Sequence, residues 1–337
     1  MKHSAPTLSR LTQSFFQQYL QQTRGASPHT IRAYRDTLRL FFEFTAEQTR
    51  RGVDRLTLSD VTVQRVLDFL IHLEGQRGNQ PGTRNCRLAV LRSWAKHLLR
   101  HDPGSAEQYT RILALPAKRC RQTPPNYLEP EQFRLVFEQA ARHGTGNLRD
   151  AALLLFLYNT GARVGEALQL RWSDLLTEGP RQVRLHGKGG RVRICPLWKQ
   201  TNQLLRQLHQ QAGSPPEGPV FLSVRKQQLT RDGAAYILHR CYQLARQRNP
   251  SLPKTAIHPH TLRHSCAVAL LQAGIELTAI RDYLGHASVA TTSRYLQTNL
   301  KTKHEVLNRF WKKSGLDPQK SRPWRPSAGL LQFLQSL

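Results

Sequence analysis

The spacing of apolar residues over the first hundred positions predicts helices. Leu8, Leu11 and Phe15 recur at intervals of three and four, so one helix face would carry all of them. Similar patterns follow residues that commonly cap helix N-termini. The predicted helices start at Leu8, Ser27, Ser59 and Pro81, and the last runs to about Arg100. We therefore expect a domain of four helices over residues 1–100.

The periodicity fails between residues 101 and 126, where prolines and cations collect. Asp102-Pro103-Gly104 and Pro124-Pro125 are turn-forming sequences that do not continue a helix. We predict that residues 101–126 form an extended, basic, proline-containing linker between two domains.

Residues 127–300 follow a different pattern, in which helices flank a short sheet. Residues 148–159 are apolar on nearly all sides, which is typical of a helix buried in a domain. Alternating runs at residues 182–186 and 191–196 enclose a glycine-rich turn and predict a β-hairpin. The predicted fold class is mainly α with a small β-hairpin or sheet in the second domain. We expect residues 301–337 to form a tail with a polar tether and an apolar end.

Charge is the most informative bulk property. The chain has 337 residues, enough for two domains with their own cores. Its 50 Lys and Arg residues against 22 Asp and Glu give a net charge of +28 at pH 7. An excess of this size, spread along the chain, favours a polyanionic partner. Duplex DNA is the candidate, and an anionic membrane surface is the competitor.

Signals for membrane insertion and secretion are not found in the sequence. A bilayer-spanning helix needs about 18 or more apolar residues in a row, and no such run occurs. The start of the chain lacks the apolar core of a signal peptide. We expect a cytoplasmic protein with no membrane partner. The 5 cysteines are scattered without a C-x-x-C pair, so neither a disulfide framework nor a cysteine metal site is expected.

Basic residues on the predicted fourth helix interleave with apolar ones, which would give the helix a cationic face. An ordinary solvated helix surface explains such a face equally well. We predict DNA contacts from this helix, from the linker, from the hairpin and from a later helix. The predicted contact residues are Arg84, Arg87, Arg92, Lys96, Lys118, Arg119, Arg121, Arg191 and Arg240.

The stretch at residues 258–297 carries groups suited to phosphate chemistry. His260 and Arg263 are three positions apart, so they share a face in the first turn of a predicted helix. His286 follows in a loop, and Tyr295 comes after it. A tyrosine has an ordinary pKa of about 10, so it needs a cationic surround to act as a nucleophile.

Two cations elsewhere in the second domain extend this set. Arg163 follows a glycine turn at the end of the apolar helix, and Lys188 lies at the tip of the hairpin. A guanidinium can hold two non-bridging phosphoryl oxygens, which carry negative charge in the transition state. Phosphoryl transfer with a tyrosyl nucleophile fits these residues, which include no carboxylate pair. Glu166, one turn after Arg163, can hold that arginine by charge.

These residues and the motifs around them resemble the tyrosine recombinase family, which includes phage integrases and Xer-like enzymes. The resemblance covers about residues 125–300, through TGARVGEALQLRW, HGKGGRVRICPL, HPHTLRHSCAVALL and LGHASVATTSRY. The family signature is Arg, Lys, His-x-x-Arg, His or Trp, and Tyr. It is matched in order by Arg163, Lys188, His260 with Arg263, His286 and Tyr295. The positions that depart from the usual pattern are not catalytic: Ala162, Gly165, Arg191 and Gln297.

The resemblance implies a reaction and a role for each residue of the signature. Tyr295 would attack a scissile phosphate and form a 3′-phosphotyrosyl bond, and strand exchange would pass through a Holliday junction. Arg163 and Arg263 would hold the phosphoryl oxygens. Lys188 would be the general acid, and His260 would accept the tyrosyl proton. His286 would donate a hydrogen bond to a phosphoryl oxygen. No cofactor or metal is implied, because the covalent link retains the energy of the phosphodiester.

The resemblance also implies an architecture and partners. The N-terminal four-helix core-binding domain and the catalytic domain would close as a clamp around double-stranded DNA carrying a specific core site. The linker would lie near the DNA backbone. A homotetramer would assemble on two DNA sites, and the tail at residues 301–337 would dock on a neighbouring protomer. An accessory protein or a partner recombinase is left open.

Several alternatives remain at this point. A metal-dependent phosphodiesterase could use His258, His260 and His264, but no nearby carboxylate completes a ligand set and Arg263 is adjacent. Two further hypotheses are a catalytically silent DNA-binding protein and a type IB topoisomerase. For the biological role we expect a mobile element, through integration, excision or cointegrate resolution. Xer-like resolution of chromosome or plasmid dimers is the alternative.

Overall fold

A computed structural model of the chain describes residues 7–120, 125–142, 147–176 and 181–285. The chain divides into two compact units, Met1–Gln122 and Thr123–Leu337. Arg121, His286, Tyr295 and the predicted tail lie outside the described residues, as does the side chain of Lys188.

The described part of the first unit is helical. Its helices are α1 (Leu8–Ser14, continuing as a π-helix over Phe15–Thr23), α2 (Pro28–Thr49), α3 (Val63–Gly75), α4 (Pro81–His101) and α5 (Ala106–Ala114). Short 3-10 turns lie at Val53–Arg55, Leu58–Asp60 and Pro103–Ser105. The predicted cap of α2 is confirmed, because the Ser27 hydroxyl accepts a hydrogen bond of 3.2 Å from the Thr30 amide.

The start of α3 differs from the prediction of a helix from Ser59. Helix α3 begins at Val63, and Thr62 is its N-cap. Asp60 instead ends a 3-10 turn, where its carboxylate accepts a 2.8 Å hydrogen bond from the Thr57 amide. Ser59, the predicted start, and Thr62, the observed N-cap, are both residue types that favour helix N-termini, so the residue type alone did not fix the start of α3.

Aromatic side chains form the centre of the first unit. The Phe41 ring lies edge-on to Phe69, with 5.4 Å between the ring centroids, and also edge-on to Trp94 at 6.2 Å. All three side chains are buried. Helices α2, α3 and α4 are therefore joined through one aromatic contact set.

The segment predicted as a linker contains a helix. In α5, Tyr109 and Ile112 are buried in the core of the first unit, and the Tyr109 hydroxyl donates a 2.7 Å hydrogen bond to Asp102. Beyond α5, Asn85 accepts a 3.0 Å hydrogen bond from the Lys118 amide and donates one of 2.7 Å to the Lys118 carbonyl. The prediction of an extended linker is wrong for this part, because tertiary burial stabilises a helix too short to be recognised by its pattern.

The second unit combines helices with a small antiparallel sheet. The helices are α6 (Pro130–Arg142), α7 (Asn147–Thr160), α8 (Val164–Leu168), α9 (Lys199–Ala212), α10 (Arg231–Arg248), α11 (Pro259–Gln272) and α12 (Leu277–Leu284). The strands are β1 (Leu175–Leu176), β2 (Gln182–His186) and β3 (Val192–Pro196), in the order β1-β2-β3. Further 3-10 turns lie at Trp172–Asp174 and Lys188–Gly190. The predicted fold class, mainly α with a small sheet, is confirmed, and β1 adds a short strand to the predicted hairpin.

Helix α7 lies at the centre of the second unit. Every residue from Asp150 to Thr160 is buried, as the all-round apolar pattern predicted. Helices α6, α9 and α11 pack around it. The C-terminal end of α7 therefore lies in the core and leads directly into the motif around Arg163. Among the described residues, no helix has the length and apolar character needed to cross a bilayer.

Candidate active site

The turn after α7 brings the Arg163 segment close to two other helices. Gly161 has a positive φ of 56°, a conformation that glycine adopts without steric cost. A Cβ at this position would collide with the Leu284 side chain and lie 3.3 Å from the Cys266 sulfur. Because the backbone turns here at close range to α11 and α12, Arg163 is directed away from the core.

Arg163 is held by Glu166, as the sequence suggested. Arg163 is the N-cap residue of α8; its amide donates a 3.0 Å hydrogen bond to Oε2 of Glu166, and its Nη1 donates one of 2.7 Å to Oε1. The Glu166 side chain is 5% exposed, whereas that of Arg163 is 40% exposed. A buried carboxylate therefore orients a guanidinium that reaches solvent.

Arg263 fastens two chain segments together. It is 1% exposed, and it donates hydrogen bonds of 2.6 Å from Nη1 to the Gly161 carbonyl and 2.7 Å from Nη2 to the Leu284 carbonyl. Gly161 precedes Arg163 by two positions, and Leu284 precedes His286 by two. One buried side chain thus sets the separation between the segments that carry two candidate residues.

His260 lies in the first turn of α11, beside both arginines. Removal of part of its solvent and the positive charges of Arg263 and Arg163 hold the pKa of His260 below its ordinary value. The His264 ring lies edge-on to it, with 4.6 Å between centroids. A neutral imidazole has a free ring nitrogen that can accept a proton, and the two neighbouring cations favour this neutral form.

The hairpin tip brings Lys188 to the end of the sheet. Gly189 and Gly190 have positive φ values of 75° and 74°, and the Gly187 amide donates a 2.7 Å hydrogen bond to the Arg191 carbonyl. These glycines allow the tight reversal that closes the hairpin around Lys188.

Two residues of this region did not emerge as site residues from the sequence. Arg193, on β3, donates a 2.8 Å hydrogen bond from Nη2 to Oε2 of Glu166. Burial opposes ionisation of Glu166, but the hydrogen bonds and charges of Arg193 and Arg163 outweigh it and lower the pKa of the carboxyl group. The alternation of Val192, Arg193 and Ile194 would have placed the apolar side chains inward, whereas the structure leaves Val192 and Ile194 exposed, so the sequence carried no signal for Arg193.

Asn159 is the second of these residues. Its Oδ1 accepts a 2.9 Å hydrogen bond from the Trp198 amide, and its carbonyl accepts one of 2.6 Å from the Tyr283 hydroxyl. It joins the end of α7 to the segment after β3 and to α12. The indication was a polar residue at the buried end of a mainly apolar helix, because buried polar groups are normally hydrogen-bonded.

The predicted DNA contacts divide into two groups. Lys96, Lys118, Arg119 and Arg191 are exposed, and Arg87, Arg92 and Arg240 are partly buried. Among these, Lys118 lies 2.7 Å from Glu74, Arg240 lies 2.7 Å from Asp150 and Arg92 donates to the Leu115 carbonyl.

Arg84 does not lie on an exposed helix face, as the sequence had indicated. It is 7% exposed, and its Nε lies 3.5 Å from a Glu74 carboxylate oxygen. The sequence placed it on a basic helix face, but this position points into the fold. Arg84 therefore pairs with Glu74 inside the first unit, and a DNA contact from this residue stays a prediction.

Comparison with known proteins identifies the family. The sequence profile of the phage integrase family matches residues 126–302, and that of the phage integrase N-terminal SAM-like domain matches residues 14–102. A putative integrase/recombinase, y4rC, of Sinorhizobium fredii is 35% identical over 100% of this chain and 99% of its own length. The chain belongs to the phage integrase family. It is a tyrosine recombinase, an enzyme class that breaks and rejoins DNA strands in site-specific recombination.

Other relatives of this integrase-family chain agree with that assignment. Tyrosine recombinase XerC of Pelobacter propionicus is 33% identical over 87% of this chain and 93% of its own length. The crystal structure of XerH bound to a difH substrate, a post-cleavage complex, has a TM-score of 0.68 at 21% identity and covers 90% of this chain and 84% of that one. A lambda integrase tetramer bound to a Holliday junction has a TM-score of 0.63 at 18% identity, covering 87% and 78%. These structural similarities concern the fold.

Proposed function

We propose that this recombinase cleaves DNA through Tyr295, whose hydroxyl oxygen attacks the scissile phosphorus and displaces the 5′-oxygen. A 3′-phosphotyrosyl bond forms, and a 5′-hydroxyl is released. In the rejoining step a 5′-hydroxyl of the partner strand attacks the phosphotyrosyl phosphorus and releases the tyrosine. The number of phosphodiester bonds is conserved, so the reaction needs no energy-rich cofactor.

The observation that carries this proposal is that Arg263 binds the Gly161 carbonyl, two positions before Arg163, and that both arginines are near enough to His260 for their charges to lower its pKa. Two guanidinium groups near one imidazole form a cationic surround of the kind that a tyrosyl nucleophile needs. Arg163, whose side chain is 40% exposed, stabilises the phosphoryl oxygens, and the positive charge of the buried Arg263 contributes to that stabilisation. His260 accepts the phenolic proton. Lys188 protonates the leaving 5′-oxygen, and His286 donates a hydrogen bond to a phosphoryl oxygen.

The site acts on double-stranded DNA that carries a specific core sequence. The net charge of +28 favours binding to DNA, and exposed cations such as Lys96 and Arg191 supply phosphate contacts. The domains at residues 1–100 and 127–300 close around the duplex, and four protomers pair two sites. The similarity to a lambda integrase tetramer on a Holliday junction supports this assembly. The tail at residues 301–337 docks on a neighbouring protomer.

A mobile element is the proposed biological setting. The match to a putative integrase/recombinase runs along 100% of this chain and supports this role. Resolution of chromosome or plasmid dimers is the second candidate, and the 33% identity to a XerC recombinase favours it. A plasmid that carries two copies of the target site distinguishes recombination from plain relaxation, because only recombination deletes or inverts the intervening DNA.

Covalent trapping tests the chemistry and recovers the target sequence in the same experiment. Protein expressed in its host is denatured rapidly, and DNA that stays attached through Tyr295 is sequenced. The recovered site is then built with a nick near the cleavage point, so that a short fragment diffuses away and the adduct accumulates. We expect a covalent adduct with the natural protein and none with Tyr295→Phe.

Binding is the control for this experiment. Tyr295→Phe removes one hydroxyl group and should leave the affinity for the same duplex unchanged. An adduct that persists in the Tyr295→Phe protein would show that another residue is the nucleophile, and the proposal would fail.

A further inference from the structure

Arg193 occupies an inward-facing position on the hairpin. In the register of the sheet it lies opposite Leu185, which is buried, whereas its neighbours Val192 and Ile194 are exposed. Its side chain is 13% exposed. A guanidinium this far from solvent is costly unless an anion compensates it. Glu166 is that anion, at 2.8 Å.

The two oxygens of the Glu166 carboxylate accept hydrogen bonds from two arginines. Oε1 accepts from the Arg163 guanidinium at 2.7 Å. Oε2 accepts from the Arg163 amide at 3.0 Å and from Arg193 at 2.8 Å. Arg193 therefore restrains rotation of the carboxylate, and the orientation of the carboxylate sets where the Arg163 guanidinium points.

The Arg193 side chain also lies against the segments that precede Lys188 and His286. A Cβ added to Gly285 would lie 3.2 Å from Cδ and 3.3 Å from Nη1 of Arg193. A Cβ added to Gly187 would lie 4.0 Å from the same Nη1. Gly187 comes immediately before Lys188, and Gly285 immediately before His286.

We infer that Arg193 is a positioning residue that aligns three parts of the active site. It holds Arg163 through Glu166, and it sets the distance of this pair from the hairpin turn before Lys188 and from the turn before His286. Arg193 itself touches neither DNA nor the reacting atoms. This inference rests on the proposed function of the site.

Cleavage rate and DNA affinity separate alignment from mere stability. On the nicked substrate with saturating protein, Arg193→Met should slow adduct formation by about 30-fold or more, because a misplacement of about 1 Å can cost a hundredfold in rate. The dissociation constant for the duplex should change by less than about twofold, because Arg193 contributes no phosphate contact. Arg193→Lys keeps one donor near Glu166 and should recover part of the rate.

Arg184→Met is the matched control. Arg184 lies on β2 of the same hairpin, paired in register with Ile194, and its side chain is exposed on the opposite face. Its loss removes the same charge from the same sheet, and we expect the natural cleavage rate. If Arg193→Met and Arg184→Met are equally active, the inference is wrong. If Arg193→Met does not fold, the cleavage rate of Arg193→Lys is compared with that of Arg184→Met instead.

A double-mutant cycle tests whether Arg193 acts through Glu166. In a Glu166→Gln background the carboxylate charge is gone, so adding Arg193→Met should slow cleavage by about threefold or less, since residues in one network are not additive. A loss in this background as large as in the natural protein would overturn the coupling. Absence of any Tyr295-dependent adduct in the natural protein would overturn the proposed function and this inference together. An adduct that forms normally in all Arg193 variants would overturn the inference alone.

Discussion

The guanidinium of Arg263 donates a 2.6 Å hydrogen bond to the carbonyl oxygen of Gly161, which lies 102 positions earlier in the chain. The same side chain binds the Leu284 carbonyl at 2.7 Å. Both acceptors are in the buried interior, so loss of Arg263 would leave two carbonyl groups without these donors. The distance between the segments leading to Arg163 and His286 depends on this pair of bonds. Substitutions at Arg263 are therefore expected to weaken folding and chemistry together.

Gly161→Ala should destabilise the second unit strongly. The added Cβ meets Leu284 and Cys266, and φ is positive at this position. Backbone strain and overpacking each cost about 1–3 kcal/mol, so we expect about 2–6 kcal/mol less free energy of unfolding. Denaturant unfolding of the full chain measures this loss, and the cleavage rate should fall with it.

Gly274→Ala is the control for backbone strain alone. Gly274 has a positive φ of 83°, but within the described part of the chain no atom lies within 4 Å of a Cβ built there. We expect a loss of about 1–2 kcal/mol. Equal losses at the two glycines would show that the close approach of α12 to the Arg163 turn is not tightly packed.

The long helices and the hairpin were predictable because their patterns are local. Helix α4 begins at Pro81, and β2 spans Gln182–His186, both as the sequence indicated. Helix α5 was missed because its stability comes from burial of Tyr109 and Ile112 in the core of the first unit, where α5 packs against α4 and α3. A short helix between a proline turn and a basic segment has no local signal strong enough to reveal it.

The candidate residues were predictable by type and order, but the network that orients them was not. Matching Arg163 and Arg263 to a family pattern says nothing about Arg193, which reaches Glu166 across 27 positions. Likewise, the basic pattern on α4 could not separate Arg84, which is buried, from Lys96, which is exposed. Such distinctions depend on which face of an element the tertiary fold covers.

His260 should titrate below its ordinary pKa of 6.5, so that its imidazole is neutral at pH 7. The unfolded chain then binds a proton at this residue before the folded chain does as the pH falls. The free energy of unfolding should therefore decrease with falling pH once the pH is below about 6.5. Heteronuclear NMR of the histidine ring C–H groups measures the midpoint directly.

Arg163→Met tests the electrostatic part of this shift. Removing one positive charge should raise the pKa of His260, although burial and Arg263 still hold it below its ordinary value. Arg171→Met, which changes an exposed arginine of the same unit paired with Glu217, should leave the midpoint unchanged. If the titration midpoint of His260 is the same in Arg163→Met as in the natural protein, the side chains of Arg163 and His260 are not neighbours in solution.

Ile112→Ala should destabilise the first unit, because the side chain is buried in the core to which α5 belongs. Truncation of a buried isoleucine to alanine lowers the free energy of unfolding by about 2–5 kcal/mol. Hydrogen exchange of α4 and α5 amides in the full chain should accelerate accordingly.

Arg111→Ala is the matched change one residue earlier on α5. Arg111 is exposed, so this substitution should alter stability by no more than about 0.5 kcal/mol. If both variants exchange at the natural rate, α5 is not part of the folded unit, and the original expectation of an extended linker is restored.

Arg84 and Lys96 lie on the same helix and should affect different measurements. Lys96 is exposed, so Lys96→Ala should reduce the slope of log affinity for duplex DNA against log salt concentration by about 1, with stability unchanged. Arg84→Ala should leave that slope unchanged but lower the free energy of unfolding by about 1–3 kcal/mol, because Glu74 loses a buried partner. A smaller salt slope in Arg84→Ala would mean that the Glu74 pair opens on DNA and that Arg84 reaches a phosphate. Titrations at several salt concentrations, together with denaturant unfolding of the same preparations, decide between the two roles.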